Sequence, residues 1–152
     1  MRETSARQYM INLLQKRRYT VYKLRQKALQ KYRNEAEEIE QTIAEMVEKN
    51  VLNDELYARD FVNHRLKTTN NGPMMIKKKM MALGLLERDI SVAMDEHCTE
   101  NIQIERVAKL LQKEKYDSDE KLQVNKVMQK MMRRGYSFSV VEAGLYKAGQ
   151  NE

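Results

Sequence analysis

The chain has 152 residues, of which 41% are hydrophobic and 33% charged, with five glycines and one proline. This composition predicts an all-α, soluble protein and excludes a β-sandwich or β-barrel. No stretch approaches the ~20 apolar residues of a transmembrane helix, so no membrane segment is expected. Cys98 is the only cysteine. Since it cannot form an internal disulfide, a cytoplasmic location is expected.

Three helices are predicted within residues 5–52. Ser5 and Thr20 are suited to cap the first two, because their hydroxyls accept hydrogen bonds from N–H groups of an opening helical turn. The third helix is predicted from about Glu35 to Lys49, with Ile39 and other apolar residues at helical spacing. Residues 1–4 are expected to be a frayed end.

The next three helices are predicted within residues 53–98. Asn53 or Asp54 caps the first of them. Pro73 begins the second, because a first-turn residue needs no N–H donor, and Gly84 fits the left-handed position after its end. The start of the third, where Leu86 stands at the capping position, is the least defined.

A polar hinge is expected at residues 95–101, followed by three more helices within residues 101–148. Asp117 or Ser118 is predicted to cap the middle one, Gly135 to end it, and Ser137 to cap the last. Residues 148–152 are expected to be disordered.

The three groups of helices are related by an internal period. Met80 and Gly84 recur 51 residues later as Met131 and Gly135, and a shift of 52 residues relates the second group to the first. The predicted architecture is therefore an elongated right-handed or curved array of three tandem three-helix, helix-turn-helix-like repeats. Their boundaries are residues 5–52, 53–98 and 101–148.

Charge alternates in step with this period. The net charge is +6 overall, but it is +9 over residues 1–33, −7 over 34–60, +5 over 61–83, −4 over 84–106 and +4 over 107–134. Stacked repeats would place the basic segments on one side, as a surface for an anionic partner; the alternative is three solvated helical faces. The candidate binding residues are Arg17, Arg18, Lys23, Arg25, Lys27, Arg65, Lys77, Lys78, Lys79, Lys126, Lys130, Arg133 and Arg134.

Catalytic and metal-binding patterns are missing from the sequence. There is no phosphate-binding glycine loop and no nucleophile elbow. His64 adjoins Arg65, and His97 adjoins Cys98 without a second ligand pair. We therefore expect no enzyme activity, no cofactor and no metal. Methionines at helical spacing, Met80, Met128 and Met131, are predicted to fill the core, whereas Met75 and Met132 are candidates for contact with a partner.

The ordered set of motifs resembles the RecX regulators of bacterial recombination. Asp54-Glu55-Leu56-Tyr57-Ala58 leads to Gly72-Pro73 and Gly84, with Arg18-Tyr19-Thr20 before and Arg134-Gly135-Tyr136-Ser137 after. The matching positions expected to be structural are Asp54, Tyr57, Ala58, Phe61, Gly72, Pro73, Ile76, Met80, Gly84 and Gly135.

The resemblance implies a cytoplasmic, monomeric regulator that binds in the groove of the RecA filament on DNA. Such a regulator inhibits recombinase, ATPase and LexA co-protease activities, and so modulates recombination, repair and the SOS response. Some proteins of this kind carry a segment before the first repeat. Two other hypotheses stay open: a direct DNA- or RNA-binding protein that uses the basic helix-turn-helix-like units, and a generic helical adaptor.

Overall fold

Residues 5–150 are described by the structure, a computed structural model, and they form nine α-helices without a β-strand. The all-α prediction is confirmed. The helices are α1 (Ala6–Lys16), α2 (Val21–Lys31), α3 (Ala36–Glu48), α4 (Asp54–Thr68), α5 (Pro73–Ala82), α6 (Glu87–His97), α7 (Glu100–Lys113), α8 (Lys121–Arg133) and α9 (Phe138–Gln150). None of these helices is long and apolar enough to cross a bilayer.

Most predicted helix ends are confirmed by hydrogen bonds. The Ser5 hydroxyl accepts from Gln8 N at 3.1 Å, and the Thr20 hydroxyl accepts from Lys23 N at 3.2 Å. Asn53, rather than Asp54, caps α4 through its side-chain oxygen. Helix α5 begins at Pro73, and the Ser137 hydroxyl accepts from Val140 N at the start of α9.

Three predictions about helix ends are wrong. Helix α8 begins at Lys121, because the Asp117 carboxylate accepts from Asp119 N at 2.9 Å and forms a turn there instead of a cap. The expected hinge at 95–101 is short, since α6 continues to His97 and Thr99 caps α7. Residues 148–150 are helical, as the end of α9. The expectations for residues 1–4 and 151–152 lie outside the described residues.

The described residues group into two compact units. Unit one comprises the residues up to Phe61 together with Met80–Ile90, and unit two comprises Val62–Lys79 together with the residues from Ser91 onward. A buried cluster around Met10, Leu24 and Ile39 fills part of unit one. The division into three repeats stays a prediction.

Unit two contains a second buried cluster, formed by α7, α8 and α9. Leu111, Met131 and Val141 are buried in it, and Gly144 allows α9 to approach Val107 closely. Met80 and Met131 are fully buried and Met128 packs against the cluster, so the core role predicted for these methionines is confirmed.

Two glycines bring backbone segments of unit two together. Gly72 N donates to Arg134 O at 2.7 Å, and Met74 N donates to Gly135 O at 3.0 Å. A Cβ on Gly72 would lie 2.5 Å from the carbonyl carbon of Gly135, so no side chain fits there. Residues 72–74 and 134–135 are motif segments that lie far apart in sequence. They are therefore joined by main-chain hydrogen bonds.

A comparable approach occurs within unit one. The Thr20 hydroxyl donates to Leu83 O at 2.6 Å, and a Cβ on Gly84 would lie 2.2 Å from Tyr22 Cβ. Asp54 Oδ1 accepts from Val21 N at 3.0 Å, which caps α2 from a distant helix. Burial raises the pKa of Asp54, and the Val21 N–H group partly offsets that rise.

Arg106 binds the C-terminal end of α4 within unit two. Its guanidinium donates to the carbonyl oxygens of Leu66 at 2.5 Å, Thr69 at 3.0 Å and Asn71 at 3.1 Å. Arg106 Nε also donates to the hydroxyl of the buried Tyr136 at 3.0 Å. These carbonyls have no helical partner, so a cation placed there satisfies them and the helix dipole together.

Replacement of Arg106 by Met is expected to lower the free energy of unfolding by roughly 1.5–3 kcal/mol, because several carbonyls lose a charged donor. Lys109→Met, an exposed substitution on the same helix, is the control and is expected to change it by less than about 0.5 kcal/mol. Urea denaturation followed by circular dichroism measures both. Equal effects of the two substitutions would contradict the assigned role.

Gly135→Ala is expected to destabilise the protein by roughly 1–3 kcal/mol, because Gly135 has φ of 108° and an added Cβ would lie 2.7 Å from Met75 N. Gly149→Ala has open space around its Cβ and lies in α9, so a gain of up to about 1 kcal/mol is expected. Thermal denaturation of both variants tests the contrast; a neutral Gly135→Ala variant would refute the close approach.

Candidate anion-binding grooves

Groove A lies in unit one, along the turn between α1 and α2 and one face of α2. Its volume is about 310 Å³, and Tyr57 of α4 also lines it. Its other lining residues include Arg17, Tyr19, Lys23, Gln26, Lys27 and Gln30. The face arises because α2 buries Leu24 and Ala28 on the opposite side.

Cations in groove A are held against tyrosine rings. The Arg17 guanidinium lies 4.8 Å from the centroid of the buried Tyr19 ring, and Lys27 Nζ lies 5.6 Å from the same centroid. Each such contact contributes about 0.5–1 kcal/mol at an exposed site. Among the residues that the structure describes, Arg17, Lys23 and Lys27 form no ion pair. Groove A is therefore a positively charged concavity whose cations are positioned but not neutralised.

Groove B lies in unit two, along the turn between α7 and α8 and one face of α8. Its volume is about 470 Å³. Its lining residues include Glu114, Lys115, Tyr116, Lys126, Gln129, Lys130 and Arg133. Lys130 Nζ donates to Glu114 Oε1 at 2.6 Å, so one cation of this groove already has a carboxylate partner.

The two grooves use corresponding helix positions. The pattern Lys-x-x-Gln-Lys occurs at residues 23–27 and again at 126–130, and both copies lie on the groove-lining faces of α2 and α8. Residues at i, i+3 and i+4 share one helix face, which is why both copies present the same three side chains. The middle segment has Met75 and Lys78 at the first Lys and Gln positions.

The remaining predicted binding residues are placed in several environments. Arg18 Nη1 lies 2.5 Å from Asp60 Oδ2, and Arg25 Nε lies 2.6 Å from Glu40 Oε1. The hydrogen bond from Arg25 lowers the pKa of Glu40, so Glu40 is ionised at neutral pH and pairs with the positively charged Arg25. Lys77 and Lys78 are exposed, whereas Arg65, Lys79 and Arg134 are half-buried.

Most motif residues expected to be structural are buried. Ala58, Ile76 and Met80 are fully buried, and Phe61 stacks on Tyr57 with ring centroids 6.5 Å apart. Of the methionines expected to contact a partner, Met132 is exposed and Met75 is half-buried.

Sequence reasoning missed Glu114, Arg106 and the glutamines Gln26 and Gln129. The duplicated Lys-x-x-Gln-Lys pattern was the available signal for the glutamines. Arg106 had no local signal, because its carbonyl acceptors lie on another helix.

The described residues hold no group of three or more His, Cys, Asp or Glu side chains placed to bind a metal. Cys98 is buried, and burial raises the pKa of its thiol. A buried thiol of this kind is a poor nucleophile at neutral pH.

Several curated proteins are similar in sequence, although no family model matches the chain. Regulatory protein RecX of Lactococcus lactis subsp. cremoris (strain SK11) is 30% identical over 116 residues, which cover 74% of this chain and 43% of that protein. Regulatory protein RecX of Bacillus pumilus is 29% identical over 107 residues, covering 66% and 40%. The chain thus spans less than half the length of these two relatives.

The fold is shared with a crystal structure of RecX from Lactobacillus salivarius. That structure matches with a TM-score of 0.85 and 20% sequence identity, and the match covers 95% of both chains. The relatives found by sequence and the solved structure matched by fold carry the same name, RecX. The chain belongs to the RecX family of regulatory proteins.

Proposed function

We propose that this protein is a negative regulator of the RecA recombinase. It binds in the groove of the RecA filament on DNA, inhibits the recombinase, ATPase and LexA co-protease activities, and so modulates recombination, repair and the SOS response. The observation that carries this proposal is the agreement between relatives named Regulatory protein RecX and a fold shared with a solved RecX. In this proposal the protein acts in the cytoplasm, as a monomer and without catalytic activity.

The charge distribution supports an anionic partner. Groove A presents cations without carboxylate partners, and Lys77 and Lys78 are exposed on α5. Several modest contacts made together give high avidity without one strong site. Such a regulator would hinder filament growth and ATP turnover by remaining bound across filament subunits.

Direct binding to DNA or RNA is the second candidate. The specific observation in its favour is the pair of grooves lined by lysine, glutamine and tyrosine, because cations and aromatic rings bind nucleic acid strands with little sequence preference. Binding to naked single-stranded DNA that weakens steeply with salt, without any effect on the recombinase, would favour this alternative.

The double variant Lys77→Glu, Lys78→Glu is expected to need roughly tenfold more protein for half-maximal inhibition of RecA ATPase on single-stranded DNA. Reversal of two exposed charges places repulsion where the proposal places attraction. The control, Lys67→Glu with Lys109→Glu, has the same net charge and also alters two exposed lysines.

The assay adds the protein before or after filament assembly. Inhibition by the unaltered protein well below one molecule per RecA subunit supports filament regulation, and dependence on the order of addition separates blocked growth from disassembly. An absence of inhibition, with binding to naked DNA retained, would replace this proposal with the direct nucleic-acid candidate. If both double variants lost inhibition equally, Lys77 and Lys78 would not belong to the contact surface.

A further inference from the structure

We infer that Glu114 is an internal competitor for an oxyanion ligand in groove B, so that Lys130 is masked there, whereas its counterpart Lys27 in groove A is available to a phosphate. The ligand class is the phosphodiester backbone of single-stranded nucleic acid. This inference rests on the second candidate function, in which the two grooves bind nucleic acid directly, and it deepens that role by naming the residue that limits binding in groove B.

The two grooves place their lysines at equivalent helix positions. Lys23 and Lys27 line groove A one helical turn apart, and Lys126 and Lys130 line groove B with the same separation. Each groove also places a tyrosine beside the turn that precedes this helix, Tyr19 in groove A and Tyr116 in groove B. The two grooves thus share this arrangement of lysines and tyrosine, and groove B adds the cations Lys115 and Arg133.

The residue that caps the helix before each groove has opposite charge in the two grooves. Arg17 is the C-terminal capping residue of α1 and lines groove A, and Glu114 is the C-terminal capping residue of α7 and lines groove B. Arg17 adds a cation to groove A, whereas the Glu114 carboxylate lies 2.6 Å from Lys130 Nζ. Glu114 therefore supplies to groove B the negatively charged oxygen that a ligand would supply to groove A.

The donors that line the grooves are suited to a phosphate ligand. Lysine ammonium groups are point donors that suit phosphate oxygens, and the glutamine amides at the matched positions add neutral donors. Bidentate recognition of carboxylates would favour arginine at the paired helix positions, which are lysines here. The buried Tyr19 ring positions Arg17 and Lys27 in groove A, and a basic groove of this kind suits the phosphates of a single-stranded backbone.

The test is binding of a fluorescein-labelled oligothymidylate to the full chain, measured by fluorescence anisotropy over a range of salt concentrations. Glu114→Gln is expected to tighten binding roughly two- to fivefold, the change that corresponds to release of one half-buried, solvent-accessible ion pair. The slope of log K against log salt should steepen by about 0.7 as one more phosphate is neutralised. Addition of Lys130→Gln to this variant should abolish the gain.

Glu105→Gln is the matched control. Glu105 pairs with Lys147 at 3.6 Å outside groove B, so its substitution also removes one negative charge and releases one lysine. It is expected to leave the salt slope unchanged. In the unaltered background, Lys27→Gln should weaken binding more than Lys130→Gln, because Lys27 has no carboxylate partner among the described residues.

Equal gains from Glu114→Gln and Glu105→Gln would overturn the inference, since net charge alone would explain them. No gain from Glu114→Gln, with folding verified by thermal denaturation, would also overturn it. A gain for poly-glutamate without one for the oligonucleotide would assign the grooves to an acidic polypeptide instead. The assay contains no recombinase, so its failure is distinguishable from failure of filament regulation.

Discussion

The backbone segments at Gly72 and Gly135 lie closer together than any side chain would allow, and much of unit two depends on that approach. Gly72 N and Met74 N donate to carbonyls on the other segment, which fixes the start of α5 against the end of α8. The glycine at 135 also adopts the left-handed conformation that ends α8. Gly135 therefore meets two requirements: it has no Cβ that would clash with Met75, and it tolerates a positive φ angle.

Arg106 supports this arrangement from the side. Its guanidinium joins the last carbonyls of α4 to the hydroxyl of Tyr136, the residue that follows Gly135. A neutral side chain at position 106 would leave those oxygens without a charged donor. The motif segments around Gly72 and Gly135 are consequently a framework that holds the helices of unit two together.

The charges divide into framework pairs and surface cations. Arg25 and Glu40 neutralise each other between α2 and α3, while Lys23 and Lys27, on the same helix as Arg25, line groove A. Of the four basic residues of α2, one thus pairs with a carboxylate of the neighbouring helix and two line groove A. This division explains why net charge alone is a poor guide to which residues contact a partner.

The helical class, most of the capping residues, the family motif and the positive φ angles of Gly84 and Gly135 could all be predicted from the amino-acid sequence, because these depend on interactions within a few residues or on an ordered pattern. It also indicated basic segments. It failed at Asp117, where a local turn competes with helix capping, and at Arg106, whose carbonyl acceptors lie 35 to 40 residues away.

Which cations are neutralised became evident from the helix packing alone. Arg18 meets Asp60 from 42 residues away and Lys130 meets Glu114 from 16, whereas Arg17 and Lys27 lie over a tyrosine ring. The physical reason is that an ion pair depends on separation in space, which the helix packing sets, while a sequence records only separation along the chain.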